Sequence, residues 1–312
     1  MKGGTRESVL IYGAGTMGCG IACCAALAGE PVILFDIDIN TAQKGIDRAK
    51  GILEDMRAQG LCGEGEVAKA AALVSAAADL ESIQSKVKVV IEAVFENMPL
   101  KQDIFARLDE VFPPEVPLLS NTSGMRITEI AAKTKHPERT LTTHFWLPAN
   151  LIPLVEVVIG DKSSPALAEE IKTYLSLWGK KPVIVKRDLP GQLANRIFQA
   201  IIREAVNIVE IGLASAEDVD TAIKMGMALR FPVWGPLEHV DAVGFDICEP
   251  VQNTVLAEIS DRKNASPMFA NLRQEGHLGQ KTGKGFYDWQ KKDIDALVKK
   301  RNEFIVHALK KI

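Results

Sequence analysis

A glycine-rich turn between a strand and a helix restricts the fold of this chain more than any other feature. The turn is "GAGTMG" (Gly13–Gly18), and it follows the β-branched and aromatic run Val9–Tyr12. A helix of small residues comes next, and a second strand-like run, Val32–Phe35, ends at Asp36. The order of strand, glycine turn, helix and strand predicts the first βαβ unit of a dinucleotide-binding domain.

Each residue of the turn has a physical task in such a unit. Gly13 permits the tight turn, Gly15 lets the backbone approach a pyrophosphate, and Gly18 lets helix and strand pack closely. The free N–H groups at the start of the helix attract the phosphates. Asp36 accepts hydrogen bonds from the adenosine ribose and repels a 2′-phosphate, so the pattern favours NAD over NADP. The alternative is a chance glycine-rich turn.

The same N-terminal residues also resemble a secretion signal, because Lys2 and Arg6 precede an apolar segment that ends in "ALAG". The glycines in this segment oppose that interpretation, since each one costs a helix roughly 1 kcal/mol. No later stretch is long and apolar enough to span a membrane. We therefore predict a cytoplasmic protein whose 5 cysteines are reduced and mostly buried.

Composition narrows the functional classes further. The 312 residues are 47% hydrophobic and 25% charged, which fits one large or two medium-sized soluble domains. The net charge of −3 gives no electrostatic reason to expect nucleic acid as a partner. The cysteines have no metal-ligand spacing to a histidine, so no metal is predicted.

Strands and helices continue to alternate after the first unit, which predicts a doubly wound sheet with both faces covered. From "DLPG" (Asp188–Gly191) the pattern becomes helical, with a long helix that stops near Gly212 and another that has Ser215 as its N-cap. Apolar spacing predicts a last helix over Ile294–Leu309, for domain packing or a dimer contact. The fold class is therefore α/β: a Rossmann-type domain over 1–187, then an all-helical domain over 188–312 for substrate and dimerisation. The remaining predicted strands are Val87–Val94, Pro117–Ser120, Leu141–Phe145, Leu154–Ile159 and Pro182–Val185.

Two ionisable residues on neighbouring predicted strands form a candidate catalytic pair. His144 ends one strand, and Glu156 lies within the next. A histidine can take a hydroxyl proton as hydride leaves the carbon, and a carboxylate on its other nitrogen fixes the tautomer. Spacing alone leaves two alternatives open, a structural or exposed histidine and a surface charge on an edge strand.

Two further polar features are candidates for ligand contacts. The turn Ser120–Ala131 carries hydroxyls and Asn121, which could hold substrate or the nicotinamide ribose; the alternative is a helix cap. Asn195 lies on a helix that is otherwise lined by apolar residues, and it points either to the cleft between the domains or to water.

From about Val9 to Trp289 the chain resembles the 3-hydroxyacyl-CoA dehydrogenase family. The order and spacing of the matching stretches are more specific than any single motif. These stretches are "GAGTMGCGIA", "VIEAVFEN…K", "SNTSGMRITEIA", "HFWLPANLIPLVEVV", "DLPGQLANRI", "EDVDTAIKMG", "WGPLEHVDAVGFD" and "GQKTGKGFYDW".

The resemblance implies an NAD-dependent enzyme of fatty acid metabolism that interconverts L-3-hydroxy and 3-oxo groups and dimerises through its helical domain. It implies that His144 is the acid/base, with Glu156 as its orienting partner. Ser123 and Asn195 would hydrogen-bond the reacting oxygen or the histidine–substrate array. The implied NAD-binding residues are Gly13, Gly15, Thr16, Met17, Gly18, Asp36, Ala93, Glu96, Lys101, Ser123 and Lys281, of which Glu96, Lys101 and Lys281 would lie near the nicotinamide half.

Departures from the family pattern bear on the substrate. Leu147 stands where the family commonly has Asn, and Pro153 where it commonly has Lys. The family's CoA-contacting Ser and Lys fall on Ile52 and Gln59 when the chain is counted without gaps. Losing these contacts weakens the case for a CoA thioester, because its phosphates usually need basic partners. The basic residues nearby that could substitute are Lys50 and Arg57.

The stretch "ALRFPVWGPLEHVD" resembles instead the branches of the family that oxidise small free hydroxy acids, the gulonate 3-dehydrogenase/lambda-crystallin and carnitine dehydrogenase groups. It carries Arg230 and Trp234. Arg230 would hold a carboxylate through two hydrogen bonds. The alternative for Arg230 is a structural salt bridge.

We therefore expect an NAD-dependent dehydrogenase that acts on a short-chain 3-hydroxyacyl-CoA such as 3-hydroxybutyryl-CoA. The alternative substrate is a small free hydroxy acid, gulonate- or carnitine-like. A β-hydroxyacid dehydrogenase of the 6-phosphogluconate type is disfavoured, because its catalytic lysine is missing from "GQLANRIFQA". A third possibility is an NAD-binding structural protein without catalysis, although nothing in the sequence argues for lost activity.

Overall fold

The structure, a computed structural model, describes residues 7–311. The chain divides into two compact units that part between Asn195 and Arg196. Lys2 and Arg6, the basic residues of the secretion-signal interpretation, lie outside the described residues. Over 7–311, every helix is too short or too polar to cross a membrane.

The first unit is built on one sheet of eight strands in the order β3-β2-β1-β4-β5-β6-β7-β8. Neighbouring strands are parallel, except for β6 and β7, which are antiparallel. The strands are β1 Ser8–Tyr12, β2 Val32–Phe35, β3 Val74–Ala76, β4 Val87–Glu92, β5 Leu118–Ser120, β6 Thr140–Phe145, β7 Leu154–Ile159 and β8 Lys181–Val185.

Helices cover both faces of this sheet, because its central strands are apolar on both sides. On β1, the buried Val9 and Ile11 belong to one apolar cluster, while Leu10 between them belongs to another. This continuous burial is typical of strands inside a parallel sheet. The helices of this unit are α1 Thr16–Leu27, α2 Ile39–Ala58, α3 Glu64–Ala72, α4 Met98–Val111, α5 Ile127–Ile130 and α6 Pro165–Leu177, with 3₁₀ turns at Glu81–Ile83, Ala131–Lys133 and Pro137–Arg139.

The reversal between β6 and β7 positions the candidate catalytic pair. The link between Phe145 and Leu154 is too short for the crossover helix that parallel strands need, so the chain turns back. In the resulting antiparallel register, His144 lies directly opposite Glu156. Two residues that are separated along the chain thus face each other across one ladder.

The second unit is helical, and its described residues contain only isolated bridges at Gly279–Lys284 and Lys284–Asp288. The long first helix, α7, begins in the first unit and ends just before Gly212, whose φ of 71° stops it. Its helices are α7 Ala194–Glu210, α8 Ala216–Ala222, α9 Pro236–Val243, α10 Phe245–Leu256, α11 Pro267–Gln274 and α12 Ile294–Leu309, with a π turn at Ile223–Met227 and 3₁₀ turns at Gln280–Thr282 and Trp289–Lys291.

The predicted fold class is confirmed, a doubly wound sheet followed by a helical unit. The structure differs from the prediction in one additional strand and in one strand boundary. The short strand β3 was not predicted, because its three residues lack a β-branched run. Strand β4 ends at Glu92 rather than Val94, because the Val94 N–H donates to the Glu92 carboxylate instead of a neighbouring strand.

Candidate active site

The strand register brings His144 and Glu156 into direct contact. His144 Nδ1 lies 2.8 Å from Glu156 Oε2, and the residues are 6% and 0% exposed. Glu156 therefore fixes which nitrogen of His144 carries the proton, because a carboxylate accepts from Nδ1–H. This leaves Nε2 as the nitrogen that can exchange a proton with a ligand.

Glu156 is held by four donors, two on each oxygen. Oε2 also accepts from the indole N–H of Trp146 at 3.0 Å, while Oε1 accepts from the N–H groups of Leu193 and Ala194, each at 2.8 Å. Burial alone would raise the pKa of Glu156, but these hydrogen bonds, that of His144 foremost, lower it to about 2. Glu156 is therefore an anion throughout the physiological pH range.

Trp146 and the Leu193–Ala194 backbone are site groups that the sequence did not reveal. Trp146 follows the end of β6, and its ring centroid lies 5.5 Å from that of His144. A tryptophan after a strand is interpreted from sequence as an apolar residue, and no sequence pattern predicts the direction of its indole N–H. The backbone donors depend on the turn before α7, which periodicity cannot describe.

The turn after β5 lies beside this pair. The side-chain oxygen of Asn121 accepts from the Phe145 N–H at 2.8 Å, which ties the turn to the residue after His144. The Thr122 hydroxyl and the Ser123 N–H both donate to Glu96. Ser123 is exposed, so its hydroxyl is accessible to a ligand. The proposed helix cap is not seen here, because α5 has Arg126 as N-cap with no side-chain capping bond among the described residues.

A buried ion pair supports the loop that follows β4. Lys101 Nζ lies 2.7 Å from Glu92 Oε1, and both side chains are almost fully buried. The Ser120 hydroxyl donates to the other oxygen of Glu92 at 2.6 Å. Lys101 Nζ is also 3.7 Å from Glu96, the acceptor of Ser123. Lys101 thus joins two carboxylates and anchors the loop that carries Glu96.

The glycine turn has the geometry that a pyrophosphate needs. Gly13 has φ 115°, and a Cβ there would lie 2.7 Å from the Ala93 carbonyl oxygen. A Cβ at Gly18 would lie 1.8 Å from the Gly13 oxygen, so neither position admits a side chain. At Gly15 a Cβ would meet no atom within 4 Å, which leaves open space above the start of α1.

The residues around this space fit NAD. Gly15 is the N-cap of α1, and no side chain among residues 7–311 caps this helix, so the N–H groups of Thr16 and Met17 face the open space. Asp36 receives the Ala14 N–H at 2.6 Å and the Ile37 N–H at 2.7 Å. These bonds hold an anionic carboxylate at the end of β2, where a ribose would bind.

The basic residues that could substitute for the missing CoA contacts are already paired on the exposed face of α2. Arg57 donates to Glu54 at 2.8 Å, and Lys50 lies 4.0 Å from Asp47. Ile52 and Gln59 are partly buried on the same helix. Because both ion pairs are exposed to solvent, they would oppose the binding of a CoA phosphate only weakly.

The remaining predicted residues lie near or within the second unit. Asn195, half-buried, directly follows the two N–H donors of Glu156 at the end of the first unit. Arg230, Trp234 and Lys281 are exposed residues of the second unit; Trp234 is 43% exposed and its ring lies 5.9 Å from that of His239. Among the residues that the structure describes, no cluster of His, Cys, Asp and Glu could hold a metal ion.

A doubly wound sheet with this glycine turn and a buried His–Glu pair defines an NAD-dependent oxidoreductase. Two family models match nearly the whole chain. The model "3-hydroxyacyl-CoA dehydrogenase, NAD binding domain" matches residues 8–189, and "3-hydroxyacyl-CoA dehydrogenase, C-terminal domain" matches residues 191–289. The chain belongs to the 3-hydroxyacyl-CoA dehydrogenase family, as the resemblance of its motifs predicted.

Individual relatives agree with this assignment. A probable 3-hydroxybutyryl-CoA dehydrogenase of Bacillus subtilis is 36% identical, over 92% of this chain and 98% of its own. The crystal structure of an NAD⁺-dependent 5-formyl-3-hydroxy-2-methylpyridine 4-carboxylic acid 5-dehydrogenase has a TM-score of 0.87 at 30% identity, covering 97% of both chains. The (S)-3-hydroxybutyryl-CoA dehydrogenase of Ralstonia eutropha has a TM-score of 0.74 at 32% identity, covering 91% of this chain and 99% of that one.

Proposed function

We propose that the protein interconverts an L-3-hydroxy and a 3-oxo group, with His144 as the acid/base and Glu156 as its orienting partner. The observation that carries this proposal is the 2.8 Å contact between His144 Nδ1 and a carboxylate held by three further N–H donors. The general-base role needs a neutral imidazole in one tautomer, and this contact selects it.

The proton moves through His144 alone. In the oxidation direction, Nε2 takes the hydroxyl proton of the substrate. Nδ1 keeps its own proton and continues to donate a hydrogen bond to Glu156. The glycine turn and Asp36 would hold NAD, which would supply the hydride acceptor for the carbon that bears this hydroxyl. The ionised Glu156 stabilises the imidazolium that results. Because its pKa is lowered to about 2, Glu156 stays unprotonated at every pH well above that value. In the reverse direction the imidazolium returns its proton to the forming alkoxide.

Ser123 and Asn195 are proposed to hydrogen-bond the reacting oxygen or the histidine. Their positions support this role, since Ser123 follows the turn tied to Phe145 and Asn195 follows the donors of Glu156. The cofactor is proposed to lie over the glycine turn, with its ribose on Asp36 and its nicotinamide half near Glu96 and Lys101. The set proposed to bind NAD also includes Gly13, Gly15, Thr16, Met17, Gly18, Ala93, Ser123 and, from the second unit, Lys281.

The first proposed substrate is a short-chain 3-hydroxyacyl-CoA such as 3-hydroxybutyryl-CoA. The 36% identical relative that is named for this activity supports it. A free hydroxy acid is the second candidate, and two observations favour it. Ile52 and Gln59 stand where the family's CoA-contacting Ser and Lys would fall. The structural relative with the higher TM-score of 0.87 is named for a free pyridine carboxylic acid.

Steady-state oxidation of NADH at 340 nm with acetoacetyl-CoA, beside acetoacetate and a panel of free 3-hydroxy acids with NAD, tests the substrate. A kcat/KM above roughly 10⁴ M⁻¹s⁻¹ for acetoacetyl-CoA would support the thioester. Turnover of free acids alone would reject the thioester and support a carboxylate contact, for which Arg230 and Trp234 are the candidates.

The catalytic assignment has its own test. His144→Ala is expected to lower kcat by roughly 10²- to 10⁴-fold while NADH binding persists. His136→Ala is the matched control, because His136 is partly exposed and its Nδ1 lies 3.3 Å from the exposed Glu138, outside the candidate site. Near-wild-type turnover in His144→Ala would reject the assignment.

The proposed division of labour gives residues 1–187 to NAD and 188–312 to substrate and dimerisation, in a cytoplasmic homodimer. The second unit supports dimerisation because α7 leaves Ile197 and Phe198 about half exposed. Its groove of about 680 Å³ is lined mainly by apolar residues, among them Ile201, Ile208 and Leu213. Light scattering after gel filtration tests this; a monomer at micromolar concentration would reject it.

A further inference from the structure

Gln192 has an unusual backbone conformation beside the candidate site. Its φ is 53°, and it is the one non-glycine residue over 7–311 with a positive φ. Such a conformation costs a residue with a side chain on the order of 1 kcal/mol or more, and it tends to occur where function requires it. Gln192 is also only 4% exposed.

The turn before α7 places Gln192 in this conformation. The Gln192 N–H donates to the Leu189 carbonyl at 3.0 Å, and Gly191 between them has φ 78°. With Pro190 at the second position, this is the pattern of a type II turn. The turn is anchored at its start, where Asp188 accepts from the Thr128 N–H and hydroxyl at 2.8 and 2.6 Å.

Gln192 is linked to two parts of the candidate site, one through its side chain and one through the backbone that follows it. Its Nε2 donates to the Thr122 carbonyl at 2.7 Å, directly before Ser123. The next two N–H groups, of Leu193 and Ala194, both donate to Glu156 Oε1. The positive φ of Gln192 redirects the chain so that these two successive N–H groups point at one oxygen.

Gln192 has a second local cost besides its backbone. Its Oε1 is buried and has no hydrogen-bond partner among the described residues. A buried unsatisfied acceptor is unfavourable for folding. Stability therefore explains this side chain only in part, because the amide that donates to Thr122 also leaves its own oxygen unsatisfied. Residues that break a local rule are expected where function demands it.

We propose that Gln192 is a positioning residue that couples two parts of the active site. Through its side chain it holds the Thr122–Ser123 turn, and through its backbone it directs the two N–H donors onto Glu156. The proposal rests on the proposed roles of His144, Glu156 and Ser123. It predicts that losing the amide contact lowers turnover far more than its small effect on stability accounts for.

Gln192→Asn separates these two effects. Asparagine keeps the amide and tolerates the positive φ, but it is one methylene too short to reach the Thr122 carbonyl. The matched control is Gln102→Asn, because Gln102 Nε2 makes the same kind of bond, to the Glu129 carbonyl at 2.8 Å, on an exposed part of α4. Both variants remove one amide–carbonyl hydrogen bond.

Four measurements on the full-length protein decide the question. For Gln192→Asn we expect amide exchange in the 189–196 peptide to accelerate roughly tenfold or more, and kcat with the better substrate of the panel to fall roughly 10- to 100-fold. The unfolding temperature should fall by only roughly 2 to 7 °C, as the loss of one buried hydrogen bond implies, and the NADH dissociation constant should stay at the wild-type value. Gln102→Asn should change neither exchange in that peptide nor kcat.

Unchanged exchange and unchanged kcat in Gln192→Asn would overturn the proposal. A fall in kcat without faster exchange in the 189–196 peptide, or together with weaker NADH binding, would also overturn it, because a merely structural role predicts a general loss rather than a change at this turn. Testing His144→Ala in the same assays keeps the two proposals apart. If His144→Ala is inactive while Gln192→Asn has full kcat, only the role of Gln192 fails; an active His144→Ala would reject the site itself.

Discussion

Replacing Glu156 by glutamine removes the charge that holds His144 while keeping the shape of the side chain. The carboxylate accepts four hydrogen bonds, from His144 and Trp146 on one oxygen and from Leu193 and Ala194 on the other. A glutamine has one acceptor oxygen and one NH₂ group. In either orientation, two N–H donors therefore face an NH₂ group that cannot accept them.

The size of the effect follows from these contacts. Two buried donors lose their partners, or one if His144 changes its tautomer, which costs about 1 to 6 kcal/mol of unfolding free energy and lowers the unfolding temperature by roughly 3 to 15 °C. If the NH₂ group faces His144, the imidazole must carry its proton on Nε2, the nitrogen needed as the base. We therefore expect kcat to fall roughly 10²- to 10⁴-fold, about 3 to 5 kcal/mol of activation free energy.

The assay combines NADH oxidation at 340 nm with thermal unfolding and NADH fluorescence. NADH should still bind, because the glycine turn between β1 and α1 makes no contact with Glu156 in the hydrogen bonds described. The control is Glu169→Gln, since Glu169 is exposed on α6 and only 3.6 Å from Lys172. A kcat within twofold of wild type would refute the assigned role of Glu156, and an unchanged unfolding temperature would refute the count of orphaned donors.

Further predictions concern the same site and the cofactor. Trp146→Phe removes one of the two donors on Glu156 Oε2, so the unfolding temperature should fall by roughly 2 to 7 °C; an unchanged unfolding temperature would contradict the reasoning. Asp36→Asn removes the charge that opposes a 2′-phosphate, so the kcat/KM ratio of NAD to NADP should fall at least about tenfold; an unchanged ratio would count against Asp36 as the discriminator. Since the pKa of Glu156 is lowered from its ordinary 4.5 to about 2, it stabilises the fold above pH 4.5 and loses this contribution as the pH falls toward 2. In urea titrations the stability gap between wild type and Glu156→Gln should narrow over that pH range; a constant gap would contradict this.

The main elements of the fold were predictable because local signals agreed with the tertiary structure. The glycine turn, the apolar runs and the change at Asp188–Gly191 to helical spacing identified the sheet and the helical part. Strand β3 was not predictable, because its pairing to β2 depends on tertiary contacts rather than on three residues of sequence. The antiparallel direction of β7 follows from the short link after Phe145, a length argument rather than a periodicity argument.

The candidate site was predictable only where residue type and strand position coincide. His144 and Glu156 are ionisable residues on adjacent strands, so their meeting needed only the correct register. Trp146 acts through its indole N–H, and Gln192 acts through its side-chain amide and the two backbone N–H groups that follow it. The directions of these groups depend on backbone turns at the ends of strands and helices. From sequence alone, a tryptophan in an apolar stretch is interpreted as a core residue and a glutamine after Pro-Gly as a turn residue. Neither interpretation predicts the hydrogen bonds that these residues make.

Glu156 and Gln192 show why stability and catalysis are coupled at one position and separable at the other. A buried carboxylate is costly unless donors compensate for its lost hydration, so the four contacts that orient Glu156 are also required for folding. Gln192 carries local costs, a positive φ and an orphaned Oε1, and receives in return a single hydrogen bond to Thr122. Removing the Glu156 charge should therefore reduce both stability and turnover strongly, whereas shortening Gln192 should reduce turnover by more than the loss of one hydrogen bond reduces stability. This contrast distinguishes a residue that the fold depends on from one whose main contribution is to the reaction.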